Sequence, residues 1–483
     1  MSTLAPVPPP AARRRTPPAH GRRRRALLFA HELRALTRVA GPLIVSQLGN
    51  IAMNTTDTIM VGPLGADALA ASGLGNAIFI AVLMLAMGTL MGMSPLISQA
   101  FGARDAAECR RILVQGLWLA ALLAIPVTAY CMFGGPIARA LHQPAEVTRD
   151  AAGYLFALGC GVPPMLLFIA LRQYLDGMGE TKPAMALTFI GVAVNVVGNL
   201  ALIYGFQLHL APGIDIRVRP GGVIGSGWST TIVRWAMLVA MAAYLMHRRD
   251  LRPFSGIPLG PSFQRLKEML RIGAPIGVQL GAEIGVFAFA VVLMGWIGAS
   301  AQAAHQVAIN IASATFMVAM GTSLAGSIRV GQHVGAGSRR GVHRAVLTTY
   351  ALVTAFMAMC AVLFLVAPRW LMGLYTHDPE LIRMGVGLLA MAAAFQVFDG
   401  AQVAGLCALR GASDTRVPMW ITILGYWAIG APAAWLLGTR TSWGAMGVWA
   451  GLVLGLAAVA LMLAWRVRRV MWAGPLSARA AAG

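Results

Sequence analysis

Three carboxylates, Asp57, Glu283 and Asp399, stand inside stretches that are otherwise almost wholly apolar. An acid at the centre of a bilayer costs at least about 2.5–3.5 kcal/mol on insertion scales, so such a residue is read as functional by default. Two carboxamides join them. Asn195 and Asn199 are spaced i, i+4, which puts both amides on one helix face. Their expected depth is roughly 20–26 Å from the start of their span, and Asp57 is expected at a similar depth. Amide carbonyls and a carboxylate at one level have the chemistry of a proton network or a small-cation site; the competing reading is a hydrogen-bonded packing cluster. His305, with Gln306 beside it, and Arg234 are further polar groups within apolar runs. A lone histidine of this kind is either a base or packing glue between helices. Nothing resembling a Ser/His/Asp, zinc-ligand, Rossmann or Walker A pattern accompanies them. Five cysteines, Cys109, Cys131, Cys160, Cys360 and Cys407, are scattered singly, which indicates neither a metal site nor a disulfide framework. No enzyme activity and no cofactor are expected.

The elements that must position these groups are membrane helices. The chain is 58% hydrophobic and 11% charged, where a soluble domain carries about 25% charge. Twelve apolar stretches, each long enough to cross a bilayer core, fall near 36–61, 68–97, 111–133, 148–175, 182–205, 222–246, 266–297, 301–331, 343–367, 379–409, 415–437 and 443–468. They are continuous rather than alternating, which excludes a membrane β-barrel, and backbone in lipid must satisfy itself, as a helix does. An all-α integral membrane protein is expected.

The chain also repeats itself. Gly62-Pro63-Leu64-Gly65-Ala66 with Gln99 and Gly102-Ala103 returns as Gly295-Trp296-Ile297-Gly298-Ala299 with Gln332 and Gly335-Ala336, 233 residues later. Leu175-Asp176-Gly177 returns as Leu409-Arg410-Gly411. Six spans separate equivalent positions, so the halves point the same way through the membrane. Two parallel six-helix bundles related by a pseudo-twofold axis along the membrane normal follow, with a cleft between them.

The net charge is +21. Nucleic acid is not the expected partner, because the basic residues concentrate in the tails and in alternate loops, as the positive-inside pattern requires. Both termini are then cytoplasmic, and Arg13–Arg15 with Arg22–Arg25 are expected to rest on anionic membrane lipid. The domain reading is a disordered basic tail over 1–33, an N-terminal bundle over 34–247, a cytoplasmic linker over 248–265, a C-terminal bundle over 266–470 and a tail over 471–483. No signal peptide is expected, since no apolar stretch with a cleavage site follows the basic run.

Several motifs in order carry a family resemblance. Asn54-Thr55-Thr56-Asp57-Thr58-Ile59-Met60-Val61-Gly62 resembles the first helix of the multidrug and toxic compound extrusion (MATE) transporters. Thr181-Lys182-Pro183-Ala184-Met185 with Asn195 and Asn199 resembles their fifth, and Ala303-Ala304-His305-Gln306-Val307-Ala308-Ile309-Asn310 their eighth. Gln396-Val397-Phe398-Asp399-Gly400-Ala401-Gln402 and Leu409-Arg410-Gly411 resemble their tenth. The similarity spans roughly 35–470 and is strongest to the NorM-type bacterial branch. It implies export of small organic, often cationic, compounds in exchange for Na⁺ or H⁺ across the bacterial inner membrane, by a monomer. It implies coupling roles for Asp57, Asn195, Asn199, Glu283 and Asp399, with Na⁺ possible at Glu283 and Asp399, and marks Asp176 as a family position. Asp57, Asp176, Arg234, His305, Gln306 and Phe395 are the candidate cleft residues. Two departures stand out: Phe395 where relatives can carry Tyr, and Arg234 deep in the sixth span.

The rival transporter reading is a lipid-linked oligosaccharide flippase of a related fold, which calls for a strongly cationic cavity. The intramembrane charges here are chiefly acidic. A membrane-embedded acyl or glycosyl transferase would need a His/Asp constellation at one membrane face, and none is found. A scaffold without transport would not need three buried carboxylates.

Overall fold

In the computed structural model the described residues are 18–140, 142, 144–211, 214–248 and 254–472, with the side chains of 18–26, 207–211, 214–218 and 472 outside this set. The expectations placed on Arg13–Arg15, the side chains of Arg22–Arg25 and the tail beyond 472 therefore lie outside the described residues.

Long apolar runs fold as helices because the backbone then bonds to itself. In chain order these are α1 (Pro18–Val61), α2 (Ala66–Gly102), α3 (Ala106–Met132), α4 (Ala145–Cys160 continuing as Val162–Met178), α5 (Lys182–Ile203), α6 (Gly222–His247), α7 (Phe263–Ile297), α8 (Ala299–Gly335), α9 (Arg339–Val366), α10 (Pro379–Gly411), α11 (Arg416–Thr439) and α12 (Gly444–Met471). Ten of them are long and apolar enough on their own to cross a membrane, and α4 adds an eleventh when its pieces, bent by 42°, are one span. The twelfth, α1, has 44 residues, but Gln47, Asn50, Asn54 and Asp57 dilute its apolar character. The twelve correspond in order to the expected spans.

Two features depart from expectation. Helix α1 begins at Pro18, so residues 18–33, expected as disordered tail, are helical. Proline is pre-organised for a first helical position, and the Arg-, Ala- and Leu-rich run behind it has high helix propensity. The second is a two-stranded antiparallel hairpin between α5 and α6, β1 (Phe206–Ala211) and β2 (Ile214–Val218), with Phe206 opposite Val218. It is the one addition to the helical architecture among the described residues. The sequence signal was present: apolar and polar residues alternate on both sides of Pro212-Gly213.

The repeat is visible down to the caps. Asp105 and Ser338, 233 residues apart, cap α3 and α9 by accepting the backbone N–H of Glu108 and Gly341 at 2.9 and 3.2 Å. Most buried apolar side chains gather in two cores, one drawn from α7–α12 and one from α1–α6 with the start of α7. A smaller cluster joins Leu36, Val39, Ala40 and Leu43 of α1 to Ala325 and Ile328 of α8. The halves therefore meet where α1 crosses α8 and where its twin α7 crosses α2.

These crossings need small residues. A Cβ on Gly321 would lie 2.7 Å from Ile44 Cα, and one on Gly92 would lie 2.7 Å from Gly273 Cα. Gly273 itself presses on the Thr89 carbonyl, and Gly277 on Leu85. Farther toward the basic loops, Gly102 faces the Gln332 carbonyl and Gly335 the Gln99 carbonyl. One turn the other way the halves part. Gly281 has open space beside it, and its twin Leu48 is exposed. The two bundles thus form a V joined on the side of the basic loops.

Polar clasps reinforce the joined side. Gln99 Nε2 donates to the Gly411 carbonyl at 2.9 Å and to Ser413 Oγ at 3.0 Å, while its twin Gln332 donates to the Gly177 carbonyl at 3.5 Å. Glu32, on the basic extension of α1, takes two bonds from Arg329 of α8 at 2.8 and 3.0 Å and lies 3.2 Å from His333 Nε2. The linker is strapped to the first half: Gln115 bonds the Gly260 carbonyl and the Ser262 N–H at 2.9 and 2.8 Å, Trp118 donates to the Leu259 carbonyl at 2.8 Å, and Arg265 pairs with Glu108.

Two consequences can be measured by thermal unfolding of purified protein. Gly273→Val overpacks the seam and should cost about 1–3 kcal/mol; an unchanged melting temperature would mean that the halves are not in contact there. Burial alone would raise the Glu32 carboxyl, but bonds from His333 and Arg329 and the Arg329 charge outweigh it and bring it down from 4.5 to about 2. Its stabilisation is complete above pH 4.5 and disappears as pH falls toward 2. The melting-temperature gap between wild type and Glu32→Gln should therefore narrow from pH 5 to pH 3. A gap that does not change with pH would exclude a charged Glu32 in the clasp.

Candidate functional site

Helix α6 organises the site in the first bundle. Thr230 Oγ1 donates to Asp57 Oδ2 at 3.3 Å, and Asn199 Nδ2 donates to Asp57 Oδ1 at 2.6 Å. Asn199 Nδ2 also reaches Asn195 Oδ1 at 3.4 Å, and Ser229 Oγ donates to the Asn195 backbone carbonyl at 3.3 Å. Asn195 and Asn199 are fully buried, and among the described residues Asn195 Nδ2 and Asn199 Oδ1 have no hydrogen-bond partner. The i, i+4 spacing thus places Asn199 on Asp57 with Asn195 behind it, and one amide donor and one acceptor stay unused inside the bundle.

Arg234 is drawn in by a broken helix. In α4, Pro163 and Pro164 follow the bend at Gly161, and a proline cannot donate to the preceding turn. Side chains bond to carbonyls around the break, of which Gly159 is the one that a proline deprives of its helical donor, while Leu158 also accepts the Gly161 N–H at 2.9 Å. Thr231 donates to the Ala157 carbonyl at 2.6 Å, Thr128 to the Gly159 carbonyl at 3.4 Å, and Arg234 Nη1 to the Leu158 carbonyl at 3.5 Å. The Arg234 guanidinium also lies 5.0 Å from the Phe79 ring centroid, a cation–π distance. Gly161 leaves room for it, since a Cβ there would lie 3.1 Å from Nη1. Arg234 and Asp57 are within electrostatic range of each other.

The second bundle holds its acids differently. Gln402 Nε2 donates to Glu283 Oε1 at 3.5 Å, and the buried Tyr426 hydroxyl donates to Gln402 Oε1 at 2.8 Å. Asp399, 4% exposed, has no hydrogen bond among the described residues and lies within electrostatic range of Glu283. Tyr426 sits on a π-helical stretch of α11, Leu424–Gly430, and such wide turns recur at functional sites. Glu283 lies just past Gly281, where the bundles part. Among the described residues no group of three or more His, Cys, Asp or Glu could hold a metal ion.

The remaining candidates lie elsewhere. His305 is buried and accepts a bond at Nδ1 from Trp449 Nε1 at 3.1 Å. Trp449 packs edge-on to Phe395, which packs edge-on to Phe287, so His305 and Phe395 belong to an aromatic cluster of the second core. Gln306 is exposed. Asp176 pairs with Arg172 at 3.2 Å, at the basic end of α4. Sequence reasoning missed Thr230, Gln402 and Tyr426. Gln402 could have been found, because it follows Asp399 by three residues and shares its helix face. A span threonine such as Thr230 cannot be told from one bonded to its own helix.

Two separate sets of carboxylates, Asp57 and Glu283 half-buried and Asp399 buried, in bundles joined on one side only, make the plan of a membrane transporter rather than an enzyme. The MatE family model matches residues 42–201 and 275–436, two stretches that begin 233 residues apart. The probable multidrug resistance protein NorM of Burkholderia mallei is 36% identical over 438 residues, covering 89% of this chain and 92% of the relative. The multidrug resistance protein MdtK of Proteus mirabilis is 33% identical over 449 residues, covering 91% and 96%. The chain therefore belongs to the MatE family. The solved structure described as the outward-facing conformation of a multidrug resistance MATE family transporter shares the fold, with a TM-score of 0.81, 21% identity and coverage of 91% and 96%.

The aromatic cluster can be tested by a double-mutant cycle. Trp449→Phe leaves buried His305 Nδ1 unpaired and should cost about 1–3 kcal/mol. Adding His305→Leu removes the orphaned group and should recover part of that loss. Strictly additive losses would show that the two rings are not bonded.

Proposed function

We propose that the protein exports small organic, often cationic, compounds from the cell in exchange for Na⁺ or H⁺, as a secondary transporter working by alternating access in the bacterial plasma membrane. The observation that carries the reading is the V itself, with a carboxylate set in each arm. Placing the basic loops and both termini in the cytoplasm, as the positive-inside pattern favours, makes this arrangement the outward-open one. The names of the relatives, multidrug resistance proteins NorM and MdtK, support the substrate class.

The chemistry follows from charge. A carboxylate inside a membrane protein must be paired or neutralised. Asp57 is held by neutral donors, and Asp399 faces another acid. In the outward-open state an entering proton or sodium ion neutralises one of these sets, and a cationic substrate held by the same charge loses its partner and leaves. The ion can drive the cycle only by binding one state more tightly than the other. Asp57 accepts its bonds from α5 and α6, so a change of charge there is felt across the first bundle. For sodium, Glu283, Asp399 and Gln402 offer the hard oxygen donors that such an ion prefers.

Ethidium efflux from reconstituted vesicles, under separate Na⁺ and H⁺ gradients, tests this. Asp57→Asn, Glu283→Gln and Asp399→Asn are compared with wild type. At least one variant should lose gradient-driven efflux by about tenfold or more, within the range of ordinary coupling energies. Normal efflux by all three under both gradients would overturn the coupling roles. Movement of lipid-linked sugars without movement of organic cations would favour the flippase.

A further inference from the structure

The two halves also differ around the turn after α2, where the repeat predicts that they should match. The turn after α2 puts Arg104 at φ 61°, in the left-handed region. Its twin in the other half is Gly337, at φ 65°. Only glycine adopts this conformation without steric cost, and a bulky residue held there points to function. Six residues on, the twin pair is Arg110 and His343. His343 Nε2 is bonded to the Met471 carbonyl at 2.8 Å. Arg110 Nε is buried and has no hydrogen-bond partner among the described residues.

Both arginines line one cavity of about 510 Å³ on the basic side, together with Phe101, Tyr174, Met178 and Gln332. Among the described residues no carboxylate lines it. The acids that neighbour the lining residues in sequence have partners: Asp105 caps α3, Glu108 pairs with Arg111 and Arg265, and Asp176 pairs with Arg172. The side chains of Arg104 and Arg110 form no hydrogen bond or ion pair among the described residues. Gln332 comes from α8 and the other lining residues from the first bundle, so the cavity straddles the seam.

We propose that this cavity binds a phosphate-bearing anion. Two planar guanidiniums in one recess match phosphate oxygens, and Arg is the residue suited to such recognition. The volume falls within the usual range for small-ligand pockets. The recess lies where headgroups of a basic-side leaflet would be, and Phe101 and Met178 give it an apolar wall, so the phosphate has two possible sources, a lipid headgroup or a free anion. An occupant held between Arg104, Arg110 and Gln332 ties the bundles together on their joined side. The site is separate from the carboxylates of the transport reading and does not depend on it.

The test is thermal unfolding of the full chain in a neutral detergent, at fixed ionic strength with chloride as reference. Inorganic phosphate and a soluble short-chain phosphatidylglycerol are titrated separately. Wild type should show a saturable rise in melting temperature with at least one of them. Saturation by phosphate alone identifies a free-anion site, and saturation by the lipid alone identifies a headgroup site. Arg104→Gly combined with Arg110→Gln should weaken the apparent affinity by about tenfold or more, as for loss of charge-assisted bonds. Arg104→Gly alone, which places the twin's residue at the strained position, serves as a second variant and should weaken binding in the same direction. No saturable response from either probe, or unchanged affinity in these variants, would overturn the proposal.

Discussion

The close approach of backbones where α1 crosses α8 and α7 crosses α2 is the constraint on which the rest of the structure depends. At these crossings a single Cβ on Gly321 or Gly92 would meet the other half at 2.7 Å. Helices in lipid gain little from burying apolar surface against one another, so tight packing of small residues carries their association. That packing decides where the bundles touch. One turn beyond Gly277 it ends, at Gly281 and Leu48, and the cleft begins. The Gln99 and Gln332 clasps and the Glu32–Arg329–His333 cluster all lie on the packed side. Remove the close approach, and these polar contacts have no geometry in which to form.

Duplication built the scaffold, and the chemistry broke its symmetry. Asp57 has Ala290 as its twin, and Glu283 has Asn50. The first bundle holds its acid with neutral donors, Asn199 and Thr230. The second sets Glu283 and Asp399 within range of each other and steadies Glu283 through Gln402 and Tyr426. The same divergence appears in the turns. The left-handed position occupied by Gly179 in one half is Ser413 in the other, and there Ser413 accepts a bond from Gln99.

Much of this was legible in the residues. Span order follows from hydropathy, because a bilayer imposes a length on every apolar run. The parallel relation of the halves follows from the even number of spans per repeat. The grouping of Asn195, Asn199 and Asp57 follows from helical periodicity. What could not be read depends on contacts between elements far apart in sequence. The place of Arg234 depends on the break in α4 at Gly161, beside which its guanidinium reaches the Leu158 carbonyl. His305 has the composition of a base, and only Trp449, 144 residues away, assigns it to packing. The partner of Glu32 on the extension of α1 is Arg329, 297 residues on.

The crossing of α1 onto α8 also bears on how the chain is made. The stripe Leu36–Leu43 finds its cover only when Ala325 and Ile328 have been synthesised. At about 5–20 residues per second that wait is roughly 15–55 s. During it the least apolar of the twelve spans, with Gln47, Asn50 and Asn54 along its length, must be held in the membrane by its own half, chiefly by α5. Biogenesis therefore places its greatest demand on the first helix, and its completion on the eighth.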